Sequence, residues 1–298
     1  MVAPEIRVEN LSVAFPAGEG TVTAVDDISI MFMPNTVTAI IGESGCGKSV
    51  LGQAILGILP STVVKKGTVK AFDSSNFGII PQNPSDSLNP IRRIYKQFQD
   101  LLDVHGIKDE KHLLKKQYME LFGLEDTERV LQAYPYELSG GMLQRLLCAM
   151  AVSTRPEWIF ADEPTKGLDK DAVKIVTDNF KRIRDFLNCG MIIITHDLEF
   201  ARTISDRIGI MYAGQIMELS STLLAKPLHP YTKSFIRALP ENGMEVVERK
   251  SYGCITNQLG CKYASRCLYC NSKCLNYRPE LYSVYPDIQV RCFKYAGL

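Results

Sequence analysis

Apolar and polar positions change period several times along the chain, and each change marks an element. Residues 5–33 alternate in part, through IRVENLSVAF, the turn PAGEG, TVTAV and ISIMFM, which predicts short strands in an antiparallel entry sheet. The run VTAII (37–41) is apolar and β-rich, GESGCGKS follows at once, and VLGQAILGIL then has the spacing of a buried helix. Residues 92–133 are charged and helical in period, which predicts an all-α block between two β-containing regions. WIFA (158–161) and MIIIT (191–195) are short, wholly apolar runs of the kind found in the middle of a parallel sheet. Between them DAVKIVTDNFKRIRDFL reads as a crossover helix, so residues 156–196 are expected to form a βαβ unit.

A chain of 298 residues, 46% hydrophobic, is long enough for one large domain or two modest ones with a real core. With 34 Lys+Arg against 33 Asp+Glu it is neither a disordered polyelectrolyte nor, taken whole, an electrostatic nucleic-acid binder. The mean hides an asymmetry. Residues 249–298 hold eight Lys/Arg (Arg249, Lys250, Lys262, Arg266, Lys273, Arg278, Arg291 and Lys294) against Glu280 and Asp287, whereas acids predominate before them. No run approaches the roughly 18 apolar residues of a membrane span, and MVAPEIRVEN lacks the pattern of a signal peptide, so a cytosolic chain is expected. Of nine cysteines, Cys46, Cys148 and Cys189 are scattered, while Cys254, Cys261, Cys267, Cys270, Cys274 and Cys292 crowd the basic tail. An odd count in a reducing compartment favours metal or free thiols over a disulfide framework.

Gly42-Glu43-Ser44-Gly45-Cys46-Gly47-Lys48-Ser49 fits G-x-x-x-x-G-K-[ST] in the context that gives the pattern meaning, after a strand and before a helix. Glycines let backbone N–H groups turn inward around a phosphate, and the helix N-terminus adds partial positive charge. Lys48 is expected to bridge the outer phosphates and Ser49 to ligand Mg²⁺, while Cys46 reads as a small filler. The apolar strand ending in Asp162-Glu163 delivers two carboxylates to the sheet edge where ligands bind. Asp162 can hold Mg²⁺, and Glu163 can polarise a water for attack on a γ-phosphate.

Leu138-Ser139-Gly140-Gly141-Met142-Leu143-Gln144-Arg145 resembles the signature motif of ATP-binding-cassette (ABC) ATPases. Gln82, Gly167-Leu168-Asp169 and His196 fall where that family has its Q-loop, D-loop and switch histidine. The resemblance implies an α/β P-loop NTPase core with an antiparallel β subdomain, a helical subdomain at about 88–155, and a small Cys-rich C-terminal extension. The implied boundaries are an ATPase domain over 1–235 and the extension over 236–298. It also implies cassettes paired head to tail, with ATP between the phosphate loop of one and Ser139-Gly140-Gly141 of the other. His196 would contact the γ-phosphate, Gln82 would touch Mg²⁺ and the attacking water and report to the membrane subunit, Asp169 would serve the D-loop, and Phe15 would stack on adenine. Lys166-Gly167 stands where small residues commonly precede Leu-Asp, and the stretch from Ser49 to Gln82 is shorter than in most relatives.

Finer features are similar to the importers of peptides and nickel: ELSGGM–QR with LLCAMAV, NPSDSLNP after Gln82, and Pro227-Leu228-His229-Pro230-Tyr231-Thr232 with ALP (238–240). Met142 resembles the first of the two unlike ATPase subunits of such importers, which implies a heterodimer. The implied partners are that second ATPase, two transmembrane permease subunits and, indirectly, an extracytoplasmic solute-binding protein, with no nucleic acid. The implied place is the cytoplasmic face of the membrane. The expected function is ATP hydrolysis driving import of small peptides, nickel or a metal chelate. The alternative is a soluble ABC ATPase acting on DNA, ribosomes or iron–sulfur assembly; a single cassette and the His-Pro-Tyr-Thr element count against it. Cys261, Cys267, Cys274 and Cys292 are similar to a G-C-x₅-C-x₆-C…C pattern in these importers, where some members hold a [4Fe–4S] cluster, and the surrounding positive charge would offset that cluster's negative charge. Zinc on Cys267, Cys270, Cys274 and one further cysteine, or unligated thiols, remain open at this level.

Overall fold

The computed structural model describes residues 4–18, 20–70, 77–239 and 259–297. The chain opens with β1 (Ile6–Ala17), β2 (Gly20–Phe32), β3 (Val37–Gly42), α1 (Lys48–Ile55), β4 (Val64–Lys70) and β5 (Phe77–Ile80). Helices α2 (Ile94–Val104), α3 (Leu113–Leu121), α4 (Thr127–Gln132) and α5 (Gly140–Ser153) follow. Next come β6 (Trp158–Asp162), α6 (Lys170–Leu187), β7 (Gly190–Thr195), α7 (Leu198–Ile204), β8 (Arg207–Tyr212), β9 (Gln215–Ser220) and α8 (Pro230–Arg237). The tail holds α9 (Ser272–Asn276), β10 (Tyr282–Tyr285) and β11 (Ile288–Val290). Cys254 and Pro240 lie outside the described residues.

Two compact units divide these elements. The first takes residues 4–6, 32–37 and 77–204. Its strands run parallel in the order β5–β6–β7, with Ile80 opposite Ala161 and Asp162 opposite Ile194. All six residues of β7 are buried, as expected for a strand covered on both faces. Crossover helix α6 is capped at its start by Asp169, whose carboxylate accepts from Ala172 N at 2.8 Å, and it ends on Asn188 in the left-handed region. The core joins Phe98, Phe122, Leu146, Ile159, Phe180 and Ile193 across helices and strands. The expected all-α block holds α2, α3 and α4, and positive φ at Lys111 and His112 marks the turn that leads into α3.

The second unit takes residues 7–31, 38–70 and 205 onward. One sheet has the order β2–β1–β4, with β1 and β4 antiparallel. Strands β1 and β2 are long where short ones were expected. The polar residues Asn10 and Asp27 do not end them; both adopt positive φ within the strand, and serine hydroxyls satisfy their amides, Ser29 for Asn10 and Ser12 for Asp27. In the other sheet β3 pairs in parallel with β8, β8 in antiparallel with β9, β9 with β11 and β11 with β10. The cysteine-bearing tail thus continues this unit's sheet.

Candidate functional site

The phosphate loop grows out of β3, whose six residues are all buried, and runs into α1. Its glycines answer three demands. A Cβ on Gly42 would stand 2.2 Å from Met211 O, and one on Gly47 2.0 Å from Ala24 O. Gly45 has open space around it but a φ of +78°. Helix α1 begins on Gly47 without a side-chain cap, and Glu43, Ser44, Gly45 and Ser49 are exposed. Lys48 is buried and folds back on the loop, its Nζ donating to Gly42 O at 2.9 Å and Glu43 O at 3.1 Å. Cys46 packs inward with its thiol raised by burial, as suits a filler. Cys148 and Cys189, pushed up to about 12 by burial, are inert core residues too.

In the other unit, strand register builds a pair. Glu163 follows β6, and its amide donates to Ile194 O at 2.7 Å, extending the β6–β7 ladder by one step. Glu163 itself has a φ of 49°, uncommon for a residue with a side chain and characteristic of strained functional positions. Its carboxylate lies 2.6 Å from Nδ1 of His196, the first residue past β7. Gln82 sits two residues past β5, at the same end of the parallel strands as Asp162. The structure thus brings Glu163 and His196 together.

Ser139 caps α5, its hydroxyl accepting from Met142 N at 3.3 Å. Gly140 and Gly141, the first two helical residues, are exposed; a Cβ on either would meet nothing within 4 Å, and neither has a left-handed φ. Among the described residues nothing demands glycine there. Gln144 ties the same helix to the end of β6, donating to Pro164 O at 2.9 Å. Asp169 is engaged as the α6 cap, and Phe15 is half-buried on β1.

Cys261, Cys267, Cys274 and Cys292 line one cavity of about 230 Å³, together with His229 and Lys294. Cys270 does not line it. Among the described residues no three His, Cys, Asp or Glu side chains are gathered closely enough to hold a single metal ion. Burial pushes Cys261 up to about 12 and Cys267 to about 11, so a metal binding their sulfurs must displace protons. The His-Pro-Tyr element supports this cavity. Glu218, fully buried on β9, accepts from the amides of Leu228 and His229, and His229 Nδ1 in turn accepts from Tyr231 N at 2.9 Å. Burial drives His229 down to about 3, which keeps it a neutral acceptor. The tail is held by Arg291, which donates to the carbonyls of Ile216, Pro279 and Asp27. Sequence reading missed Arg291 and Glu218 as anchors, since a lone buried charge carries no periodic signal.

Residues 25–166 match the family described as ABC transporter, and residues 217–274 match the oligopeptide/dipeptide transporter C-terminal region. The chain is 30% identical to the dipeptide transport ATP-binding protein DppD of Caldanaerobacter subterraneus, over 97% of each chain. It is 36% identical to the oligopeptide transport ATP-binding protein OppD of Lactococcus lactis subsp. cremoris, over 79% of this chain and 75% of that one. It is 33% identical to DppD of Bacillus subtilis, over 88% and 86%. Among solved structures, a dimeric bacterial ABC transporter cassette matches with a TM-score of 0.60 at 21% identity, covering 71% of this chain and 96% of that one. The cbiO1 subunit from Clostridium perfringens gives 0.60 at 25%, covering 74% and 88%.

Proposed function

The chain belongs to the ABC transporter ATP-binding proteins of the oligopeptide/dipeptide family and hydrolyses ATP for a transporter; from that premise we propose that small peptides are the solutes and that the motif residues divide the work as follows. Residues Gly42–Ser49 hold the triphosphate, and Lys48 exchanges the carbonyls of Gly42 and Glu43 for phosphate oxygens. Ser49, Asp162 and Gln82 hold Mg²⁺, and Phe15 stacks on adenine. Glu163 polarises the attacking water and His196 fixes its direction, as phosphoryl transfer needs positioning and charge more than covalent chemistry. The observation that carries this reading is the Glu163–His196 pair at 2.6 Å. Among the described residues no helix is long and apolar enough to cross a membrane, so translocation falls to permease partners, with Gln82 at the docking face. Asp169 serves the cassette interface beside its capping role.

Ser139-Gly140-Gly141 serves the ATP of a second cassette; exposed glycines that their own fold does not require support that role. Met142 in the signature supports an unlike second subunit. In mixed dimers Gly140→Asp should impair hydrolysis at the partner's phosphate loop, and damage confined to this chain's own nucleotide would overturn the head-to-tail arrangement. The whole reading is tested by reconstitution with the permease subunits, where peptide delivery should raise ATP turnover. Turnover that responds instead to DNA or ribosomes, with no membrane subunit co-purifying, would replace it with the soluble alternative.

Residues 236–298 form the extension to a cassette over 1–235, and Cys261, Cys267, Cys274 and Cys292 hold a [4Fe–4S] cluster. Four thiols lining one cavity support this reading. Anaerobic purification should give iron and sulfide in wild type and Cys270→Ser but not in Cys261→Ser. Stoichiometric zinc without sulfide would overturn the cluster.

A further inference from the structure

Two ties join the basic tail to the phosphate loop within one compact unit. Nη1 of Arg266 lies 3.3 Å from the carboxylate of Glu43, the second residue of the loop. The same guanidinium stands 5.8 Å from the ring centroids of both Tyr212 and Tyr263. Those rings are perpendicular and 5.5 Å apart, and the buried Tyr263 donates its hydroxyl to Ser234. Two aromatic faces therefore hold Arg266 in place, which an ordinary exposed ion pair lacks. The next residue, Cys267, lines the cysteine cavity. The second tie runs through Asp26, paired with Lys262 at 2.9 Å and Arg278 at 2.8 Å. Its amide donates to Gly214 O, and Gly214 N donates to Cys46 O inside the loop.

We propose that Arg266 sets the nucleotide affinity of the phosphate loop by neutralising Glu43, so that the cysteine-bearing tail tunes ATP binding. The inference rests on reading residues 42–49 as the nucleotide site. A carboxylate in that loop repels an incoming triphosphate; paired with a guanidinium held by the tail, it does so far less. Glu43 is 45% exposed, so solvent and salt screen the effect and its size is several-fold rather than orders of magnitude.

The test is equilibrium titration of the full chain, purified anaerobically, with a fluorescent ATP analogue and Mg²⁺ at low and physiological ionic strength. Arg266→Ala should weaken binding by about three- to fivefold at low salt, and the loss should shrink as salt rises. In a Glu43→Gln background the same change should cost less than about 1.5-fold. An equal loss in both backgrounds, or none in the wild-type background, overturns the proposal. Lys48→Ala separates the two levels: if it binds the analogue like wild type, the nucleotide site itself is misassigned, whereas a defective Lys48→Ala beside an unaffected Arg266→Ala removes only the coupling.

Discussion

The ends of β6 and β7 and the cysteine-bearing tail both hold charged side chains in set places, by opposite means. At the strand ends the main chain does the placing: Asp162 stands opposite Ile194, and the Glu163 amide continues the ladder. Once the register is fixed, Glu163 and His196 meet. Among the described residues of the tail only the three-residue β11 is a strand bonded to the rest of its unit, and side chains do most of the holding. Arg291 spans three carbonyls, Asp26 takes two cations, and Tyr212, Tyr231 and Tyr263 pack ring on ring. A site hung on a ladder tolerates change around it; a region held by a few polar side chains depends on each of them.

Substitutions can break that contrast. Glu163→Gln keeps the ladder and removes the charge, so ATP turnover in the assembled transporter should fall roughly 10²- to 10⁴-fold while ATP binding and folding stability persist. A fall of less than tenfold would move the base elsewhere. Arg291→Ala should do the reverse, leaving the Glu163–His196 end intact and loosening the tail by about 2–3 kcal/mol through three abandoned carbonyls. Hydrogen exchange over residues 259–297 reads this directly, and wild-type protection there would refute the anchoring role. The smallest effect is expected from acid. Burial raises the Asp26 carboxyl, but the hydrogen bonds and charges of Lys262 and Arg278 outweigh it and hold the group below its ordinary 3.8. That contribution is complete above about 3.8 and is lost as pH falls through the lower folded value. Tail protection should therefore decline below pH 4 in wild type with a steeper slope than in Asp26→Asn, and parallel slopes would exclude Asp26 as the titrating tie.

The same contrast explains what the sequence made legible. The glycine loop between strand and helix, the β6–α6–β7 crossover and the Ser139 cap all follow from local pattern and period. Cys261, Cys267, Cys274 and Cys292, set apart in the sequence by their spacing, line one cavity. Strands β1 and β2 were underestimated because Asn10 and Asp27 look like breaks yet are carried within the strands at positive φ. Arg266 and Glu43 are 223 residues apart, and no periodicity connects them. Glu218 and Arg291 look like surface charges until burial makes them anchors.

Gly140 and Gly141 have a practical consequence for anyone who would improve this subunit. Alanine at the start of α5 would meet no obstacle and would favour the helix by a few tenths to about 1 kcal/mol at each position. A library screened for heat resistance of the isolated chain should therefore drift to alanine there, returning a sturdier protein that, on the head-to-tail arrangement proposed above, has lost the surface it offers a neighbouring cassette. Thermal robustness of this subunit is a sound target only when scored in the assembled transporter.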